Sequence, residues 1–416
     1  MSRRRLSRLD LGDGGFVADP YPAFAAERAR GPVAWHEPSR TWLAVEHAAC
    51  SQALRDRRLG RIWRDRDPVE TFEPFNLLHR NQMMENEPPN HTRLRRKVST
   101  AFARGHVERM RPRVRELGGQ LLDAVEGSTF DVLADYAEPL PVLVIAELLG
   151  APSRDFARLR EWSQAIVRMY EPSISDDVQA AALRASQAFA DYMRALIAER
   201  RADLASDLPN DLLSDLLRAQ TGGDGLTDDE VLASAILLLN AGHEASVNVF
   251  GNGLVALLDH PDQWQRVVDV DVEMAVVVEE MLRYDSALQL FERTATSDVE
   301  VGGVVVSEGE RVAVLLGAAN RDPAVFDEPD ALHADRDPNP HLAFGAGVHF
   351  CLGAPLARVE LAEALALLAA SYPGLQLASR PHRRPTFVLR GYESVPVAGE
   401  RVRTQGRGRR RGVSHG

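Results

Sequence analysis

Phe344-Gly345-Ala346-Gly347-Val348-His349-Phe350-Cys351-Leu352-Gly353 runs straight into an apolar helical pattern that opens near Pro355. Glycines let a backbone turn tightly and lie close against a flat partner. A proline in the first turn suits the start of a helix. Cys351 therefore sits just ahead of a helix N-terminus, where free N–H groups favour a thiolate. The only other cysteine, Cys50, lies in a helical Ala-Ala-Cys context and reads as a packed, inert thiol. A lone thiolate suits a single axial bond to a metal, not a multi-cysteine site. For any one cysteine, burial in a glycine-rich turn is the ordinary alternative.

Upstream of this loop, residues 323–340 are rich in proline and lack periodicity, which predicts a long ordered meander. Arg336 lies within it, fifteen residues before Cys351. Residues 274–284 read as a helix with Glu280 and Arg283 on one face. The longest helical pattern covers 229–258. Thr227 and Glu230 form a capping box at its start, and Pro261 limits its end. About 30 residues span roughly 45 Å, enough to cross a domain. Residues 231–239 are apolar on most faces, which predicts a central position. Asn240, Gly242, His243 and Glu244 then interrupt the run, and polar residues inside a buried helix cost stability. Further helical patterns cover 155–170, 178–201 and 355–370. Strand-like stretches are short, within 35–45 and 299–315, with Gly302-Gly303 as a tight turn. The expected fold is mainly α with a small β component.

The 416 residues are 45% hydrophobic and 26% charged, so the chain can bury a sizeable core. A net charge of −11 argues against a general nucleic-acid footprint. The basic start, Met1-Ser2-Arg3-Arg4-Arg5, has no apolar run behind it, so neither a signal peptide nor a membrane anchor is expected and a cytoplasmic protein is the default. We expect a flexible segment at 1–18, a single catalytic domain at 19–398 and a disordered, arginine-rich tail at 399–416.

The ten-residue stretch around Cys351 strongly resembles the haem-binding signature of the cytochrome P-450 family, in particular its soluble bacterial members. The resemblance runs from about Asp19 to Val397 with motifs in the right order. It implies a single, mainly α domain enclosing haem b between the long central helix and the cysteine loop. Cys351 is then the metal ligand, in a loop where Phe344, Gly345, His349 and Gly353 bind the cofactor. Glu280, Arg283 and Arg336 form a buried structural network that holds this loop. His91 and Arg95, in Glu87-Pro88-Pro89-Asn90-His91-Thr92-Arg93-Leu94-Arg95, match the family's propionate contacts, joined by Arg293 and His349. Their spacing puts His91 and Arg95 on one helix face, which suits two grips on one anion, though a solvated basic face has the same spacing.

Ala241-Gly242-His243-Glu244-Ala245 matches the family's oxygen-groove motif except at its last position, where a threonine is usual. By resemblance, Ala241 and Gly242 let the helix pass close over the cofactor, and Glu244 helps to relay protons. Ala245 offers no hydrogen-bonding group. Ser246 follows, but one helical step turns it about 100° away. A substrate hydroxyl or trapped water filling the gap, a reaction with a different relay, and a poorly coupled enzyme are the three readings. The substrate pocket expected by position in the family comprises Met83, Met84, Met169, Tyr170, Leu237, Asn240, Leu288, Gln289 and Tyr392. Asn240 is expected to point into it.

The implied activity is insertion of one oxygen atom from O2 into a small or medium organic molecule, in secondary metabolism. No flavin or NADPH module fits this length, so a separate ferredoxin and ferredoxin reductase are expected partners, with no nucleic acid and no membrane. Arg96, Arg104 and Arg109 offer a basic docking face, or are simply solvated. A non-hydroxylating oxidation (coupling, desaturation or nitration) is the alternative, and a non-catalytic haem protein that binds a ligand is the third.

Overall fold

The capping box at Thr227 closes on both sides: Glu230 N donates to Thr227 Oγ1 (3.2 Å) and Thr227 N donates to Glu230 Oε2 (2.9 Å). It starts a 31-residue helix, Asp228–Leu258, around which the other helices are arranged. The computed structural model describes residues 5–102, 104–171, 174–202, 211–220 and 224–402. Ahead of the central helix come α1 (Gly14–Ala18), α2 (Tyr21–Arg28), α3 (His47–Arg55), α4 (Val69–Arg80) and α5 (Asn90–Val98). Next are α6 (Arg104–Ala124), α7 (Pro139–Leu149), α8 (Phe156–Val167), α9 (Asp176–Ala202) and α10 (Leu212–Arg218). The central helix is α11, followed by α12 (Pro261–Val268), α13 (Met274–Tyr284), α14 (Leu316–Ala319) and α15 (Ala354–Ser371).

The strands are short and sit at the periphery of this bundle. They are β1 (Val33–His36), β2 (Thr41–Ala44), β3 (Leu59–Gly60), β4 (Thr129–Asp131) and β5 (Leu290–Ala295). The remainder are β6 (Val299–Val301), β7 (Val304–Val306), β8 (Arg311–Leu315), β9 (Gln376–Leu377) and β10 (Pro396–Ala398). One sheet runs β1-β2-β8-β5-β3, with only β2 and β8 parallel. A second runs β4-β10-β9, and β6 pairs β7 across Gly302-Gly303, both at positive φ. The mainly α architecture with a small β component is thus the observed one.

The main apolar core gathers α4 to α13 and α15 around α11, and two smaller clusters lie against the five-stranded sheet. α11 packs on α7, α13, α4 and α9. Gly253 permits the approach of α13: a Cβ there would lie 2.4 Å from Met281 Cε. Among the described residues no helix is long and apolar enough to cross a membrane.

Two expectations about the ends need correction. Residues 5–18 are docked, not flexible. Ser7 N donates to Trp35 O and Trp35 N to Arg5 O, both at 2.8 Å, and Leu9 and Phe16 are buried. Arg5 meets the buried Glu27 carboxylate at 2.8 Å. At the other end, Gly399 N donates to Ser128 O and Val402 N to Ser371 O (2.8 Å each), so the expected tail does not begin at 399. Residues 1–4 and 403–416, to which those expectations also applied, lie outside the described residues.

Asp285 ties the two ends to the core. Its carboxylate accepts from Arg390 Nε (2.8 Å), Tyr21 Oη (2.8 Å) and Arg383, while Arg390 also donates to Val17 O and Ala18 O. Burial alone raises this carboxyl, but Arg390 and Arg383 together outweigh it and bring it down to about 2. A carboxyl depressed in the fold stabilises it fully above its unfolded value near 4. That contribution is lost as pH falls from there through about 2. It amounts to roughly 2 kcal/mol. We expect the urea midpoint to fall steeply between pH 4 and 2, and Asp285→Asn to flatten that part of the profile from a lower plateau. An unchanged acid limb in the variant contradicts this.

Candidate active site

The cysteine loop is shaped by two left-handed glycines. Gly345 has φ +69° and donates to Leu342 O (2.8 Å). Gly347 has φ +71°, and a Cβ there would lie 2.4 Å from Leu54 O on α3. Cys351 N closes the loop on Phe344 O (3.0 Å), and Gly353 leads into α15. The expected thiolate-favouring N–H groups are present, at Gly353 and Ala354, with Arg95 adding its charge. Burial is nevertheless the largest effect and holds the thiol above its ordinary range, so the helix start alone does not make Cys351 a thiolate. Cys50 is fully buried, with Sγ 3.2 Å from Ala44 O and its thiol pushed up by burial.

α15 packs on α11, which carries the second half of the site. From Glu230 to Leu257 the residues of α11 are buried except Ala241, Gly242 and Ala245. Ala241 is exposed in the middle of a core helix, one turn from the half-buried Ala245. Small side chains thus leave one turn of a buried helix bare on one face.

The basic residues cluster on the cysteine loop. His91 places Nδ1 2.9 Å from Met83 O and Nε2 3.1 Å from Val348 O, and its ring lies 4.3 Å from that of His349. Arg95 donates to Phe350 O (2.7 Å), and His349 Nε2 meets Glu87 Oε1 at 2.8 Å. Arg293 on β5 is 2% exposed, bonds only its neighbour's carbonyl, Glu292 O (2.8 Å), and makes no ion pair among those described. Burial first, and then Arg61, lower its guanidinium to about 9 against the pull of Glu87 and Glu85. A buried guanidinium this strongly disfavoured asks for an anion. A bare small-residue helix face, one thiol and an unpaired buried arginine fit a flat prosthetic group that carries carboxylates and takes one axial thiolate.

Glu280 (1% exposed) and Arg283 (0%) form a bidentate pair at 2.7 and 2.8 Å. Arg336 Nε joins Glu280 at 3.1 Å, Asn339 Nδ2 at 3.1 Å and His333 N at 2.9 Å. Arg283 also donates to Asn320 O, Pro329 O and Ala331 O, and Asn320 Oδ1 accepts from Leu342 N at the mouth of the cysteine loop. The neighbouring Glu279 was not singled out by sequence reasoning. It holds His341 (3.0 Å) ahead of the loop and Arg358 (2.6 Å) behind it, so α13 clamps the loop from both ends. Two adjacent glutamates were the only signal for it.

On the same turn of α11, Glu244 Oε2 lies 3.4 Å from Arg384 Nη1, and Arg384 reaches Glu138 at 3.6 Å. Glu138 continues to Arg160 and Gln164, both at 3.0 Å. Arg384, Glu138 and Arg160 lie 140, 106 and 84 residues from Glu244 in sequence, and no motif joins them to it. Ser246 Oγ donates to Gly242 O (3.4 Å), turned back on its own helix, while Ala245 has nothing to donate.

Of the expected pocket, Tyr170, Leu237 and Asn240 converge on one recess, with Leu78, His79, Gln82, Ala233 and Ile236. Met83 and Met169 are buried beside it in sequence, and Met84 packs on the same core. Leu288 bridges Leu389 at the sheet edge. Gln289 and Tyr392 are corrections. Gln289 Nε2 donates to Ser286 O (2.6 Å) and lies 3.4 Å from Tyr21 Oη, while Arg383 covers the Tyr392 ring at 3.8 Å. Both side chains pack toward the Asp285 knot and neither lines this recess, although Gln289 Oε1 is left without a partner.

Comparison with known proteins follows the same lines. The family model described as Cytochrome P450 matches residues 160–269 and 274–372. Cytochrome P450 monooxygenase PikC of Streptomyces venezuelae is 38% identical over 411 residues, covering 96% of each chain. Nocardicin C N-oxygenase of Nocardia uniformis subsp. tsuyamanensis is 37% identical over 410 residues, 95% of this chain and all of its relative. The solved structure of P450BioI with an acyl carrier protein superposes with a TM-score of 0.88 at 33% identity, over 93% of this chain and 100% of that one.

Proposed function

Since the chain belongs to the cytochrome P450 family, and is on that ground a P450 monooxygenase with haem b as its cofactor, we propose that it inserts one oxygen atom of O2 into a small or medium organic molecule of secondary metabolism. Its electrons come from a separate ferredoxin and ferredoxin reductase. The bare turn at Ala241, Gly242 and Ala245 on an otherwise buried helix is the observation that carries this reading. PikC, described as a monooxygenase, and the relative named for N-oxygenation of nocardicin C support it.

When bound, haem supplies the activation of O2 and the oxidation of the substrate. The chain's own residues supply position and protons. Cys351 would hold the haem iron through its sulfur. Arg293, His91, Arg95 and His349 would hold the propionates, with Arg293 gaining the anion that its burial demands. Ala241 and Gly242 leave room for the flat ring, and the clamp of Glu279, Glu280, Arg283 and Arg336 keeps the loop in place. Glu244 holds a proton-exchanging carboxylate at the groove, tethered by Arg384. Ala245 has no hydroxyl and that of Ser246 is engaged by Gly242 O, so a substrate hydroxyl or an ordered water completes proton delivery.

The test is turnover in ¹⁸O2 with ferredoxin, reductase and NADPH, on a compound chosen by spectral shift from a metabolite library. One labelled oxygen in the product is expected. A product without label favours coupling or desaturation, the reading that the missing threonine keeps in play, and no turnover of a bound compound favours a ligand-binding protein. Ala245→Thr adds a second check. It is expected to raise product formed per NADPH for analogues that lack the assisting hydroxyl, and to leave the true substrate unimproved or worse. A large gain with the true substrate contradicts delivery through substrate or water.

A further inference from the structure

His243, one of the polar residues that interrupt the apolar run of α11, is 0% exposed. Its Nδ1 lies 3.2 Å from Leu239 O, one turn back on the same helix, and a carbonyl only accepts, so Nδ1 carries the proton. Burial is the largest effect on the ring. It outweighs the pull of Glu244, of the Leu239 carbonyl and of Glu138 ahead of α7, and Arg160 on α8 adds to it. Proton affinity thus falls below the ordinary histidine range, and the ring is neutral near pH 7. A neutral imidazole has one N–H, so Nε2 is a bare lone pair, and no donor reaches it.

That lone pair has a carboxyl group beside it. His243 Nε2 and Glu244 Oε1 are 3.8 Å apart. The distance is beyond hydrogen-bond range, yet too short for a water on the line between them, which needs about 5.5 Å. The other oxygen, Glu244 Oε2, lies 3.4 Å from Arg384 Nη1. The carboxyl thus stands between a group that only accepts and a group that only donates. Ionised, it has nothing to give Nε2 and pairs with the guanidinium. Protonated, it has one O–H, which a guanidinium cannot accept and Nε2 can. A side-chain rotation that shortens the gap by about 1 Å completes that bond.

The two stations also differ in their access to solvent. Arg384 leads to Glu138 at 3.6 Å, and Glu138 to Arg160 at 3.0 Å. The Arg160 side chain is 37% exposed, against 7% for that of Glu244. The guanidinium station therefore lies toward water, and the imidazole station lies in the core.

We propose that His243 is a positioning residue for proton delivery: its Nε2 accepts the O–H of Glu244 while that carboxyl carries a proton, and Arg384 takes the carboxylate once the proton has left. This rests on the reading above that Glu244 supplies protons at the bare turn. One proton enters Glu244 from solvent for each that leaves it. His243 stays neutral throughout and exchanges no proton of its own, so it acts only through Glu244.

The first readout needs no turnover. Infrared difference spectra of the haem-loaded ferric protein between pH 8 and pH 5 should show a protonated-carboxyl band that Glu244→Gln removes. His243→Phe keeps a ring in the core but has no acceptor. In that variant the band should move to higher wavenumber and its midpoint to lower pH, because the protonated form has lost its bond. His243→Leu, a second variant without an acceptor, should do the same, and His243→Gln, whose carboxamide oxygen accepts, should reverse both shifts. The second readout is NADPH-driven turnover of the compound chosen by spectral shift. In His243→Phe, kcat and product per NADPH should fall about 3- to 10-fold, as one hydrogen bond implies. KM should hold and the solvent isotope effect should grow, with most of the loss recovered in His243→Gln. The absence of a Glu244 band in this pH range overturns the proposal. So does a band that both acceptor-free variants leave in place, which marks a water beside Nε2. A fall in turnover that glutamine does not recover, with the band unmoved, marks core packing and overturns it too. A failed ¹⁸O2 experiment speaks against monooxygenation instead, and leaves the infrared result to stand or fall by itself.

Discussion

Cys351→Ala is expected to abolish the absorption band of the reduced carbon monoxide complex near the wavelength that names the family, and with it all turnover. The expectation follows from the loop's construction. Gly345 and Gly347 take backbone conformations that other residues rarely adopt, and Cys351 N is fixed on Phe344 O, so the thiol has one place to be. No other sulfur can substitute. Cys50 is fully buried with Sγ against Ala44 O, and its thiol is pushed upward by burial. In the unmodified chain burial also disfavours the Cys351 thiolate, opposed by the N–H groups of Gly353 and Ala354 and by Arg95. A bond to iron removes the need for a proton on sulfur, and those same groups then stabilise the ligand. Cys50→Ala should keep both band and turnover. A band retained in Cys351→Ala, or lost in Cys50→Ala, overturns the assignment. The variant should remain folded, since the loop's shape comes from its glycines and from the α13 clamp, and far-ultraviolet circular dichroism checks that.

How far the sequence could be read depended on distance along the chain. The fold class was legible because long 3.6-residue patterns are local: residues 229–258 and the observed Asp228–Leu258 differ by one position at the start, where the capping box lies. The cysteine loop was legible for the same reason, being a run of ten residues. Arg336 was paired correctly with Glu280 across 56 residues because a family motif marks both, and what failed was the meeting of distant segments that no motif marks. Nothing near Arg384 says that it will reach Glu244, 140 residues earlier, or that Glu138 will lie beyond it. Gln289 and Tyr392 were assigned to the pocket by position. Local bonds to Ser286 O and to the Arg383 knot turn them away. The N-terminal segment looked unstructured because four arginines and three glycines mask two anchors. Those anchors, the Arg5–Glu27 pair and the bridge to Trp35, are visible only once β1 and α2 are in place.

Glu280→Ala is expected to lower stability by about 3–5 kcal/mol, the cost of stranding a buried partner charge, and to leave little haem-loaded protein. A surface pair of the same chemistry gives the contrast: Arg96 with Asp224 is largely exposed, and its loss should cost little. The difference lies in what Glu280 serves. Its two oxygens accept from Arg283, Arg336, Asn339 and His333 N at once, so a single truncation orphans two guanidiniums and two further donors. Buried ion pairs can often be replaced by apolar residues without loss, which offers a sharper test. Glu280→Leu combined with Arg283→Met should not recover, because Arg283 also satisfies three carbonyls, Asn320 O, Pro329 O and Ala331 O. Those carbonyls belong to the segment that sets the cysteine loop, and Asn320 itself holds Leu342 N. Haem content should therefore fall with stability in both variants and in parallel. Recovery in the double variant reduces the cluster to a replaceable ion pair. Full stability with haem loss in Glu280→Ala instead makes Glu280 a cofactor-site residue, not the clamp argued from its bonds.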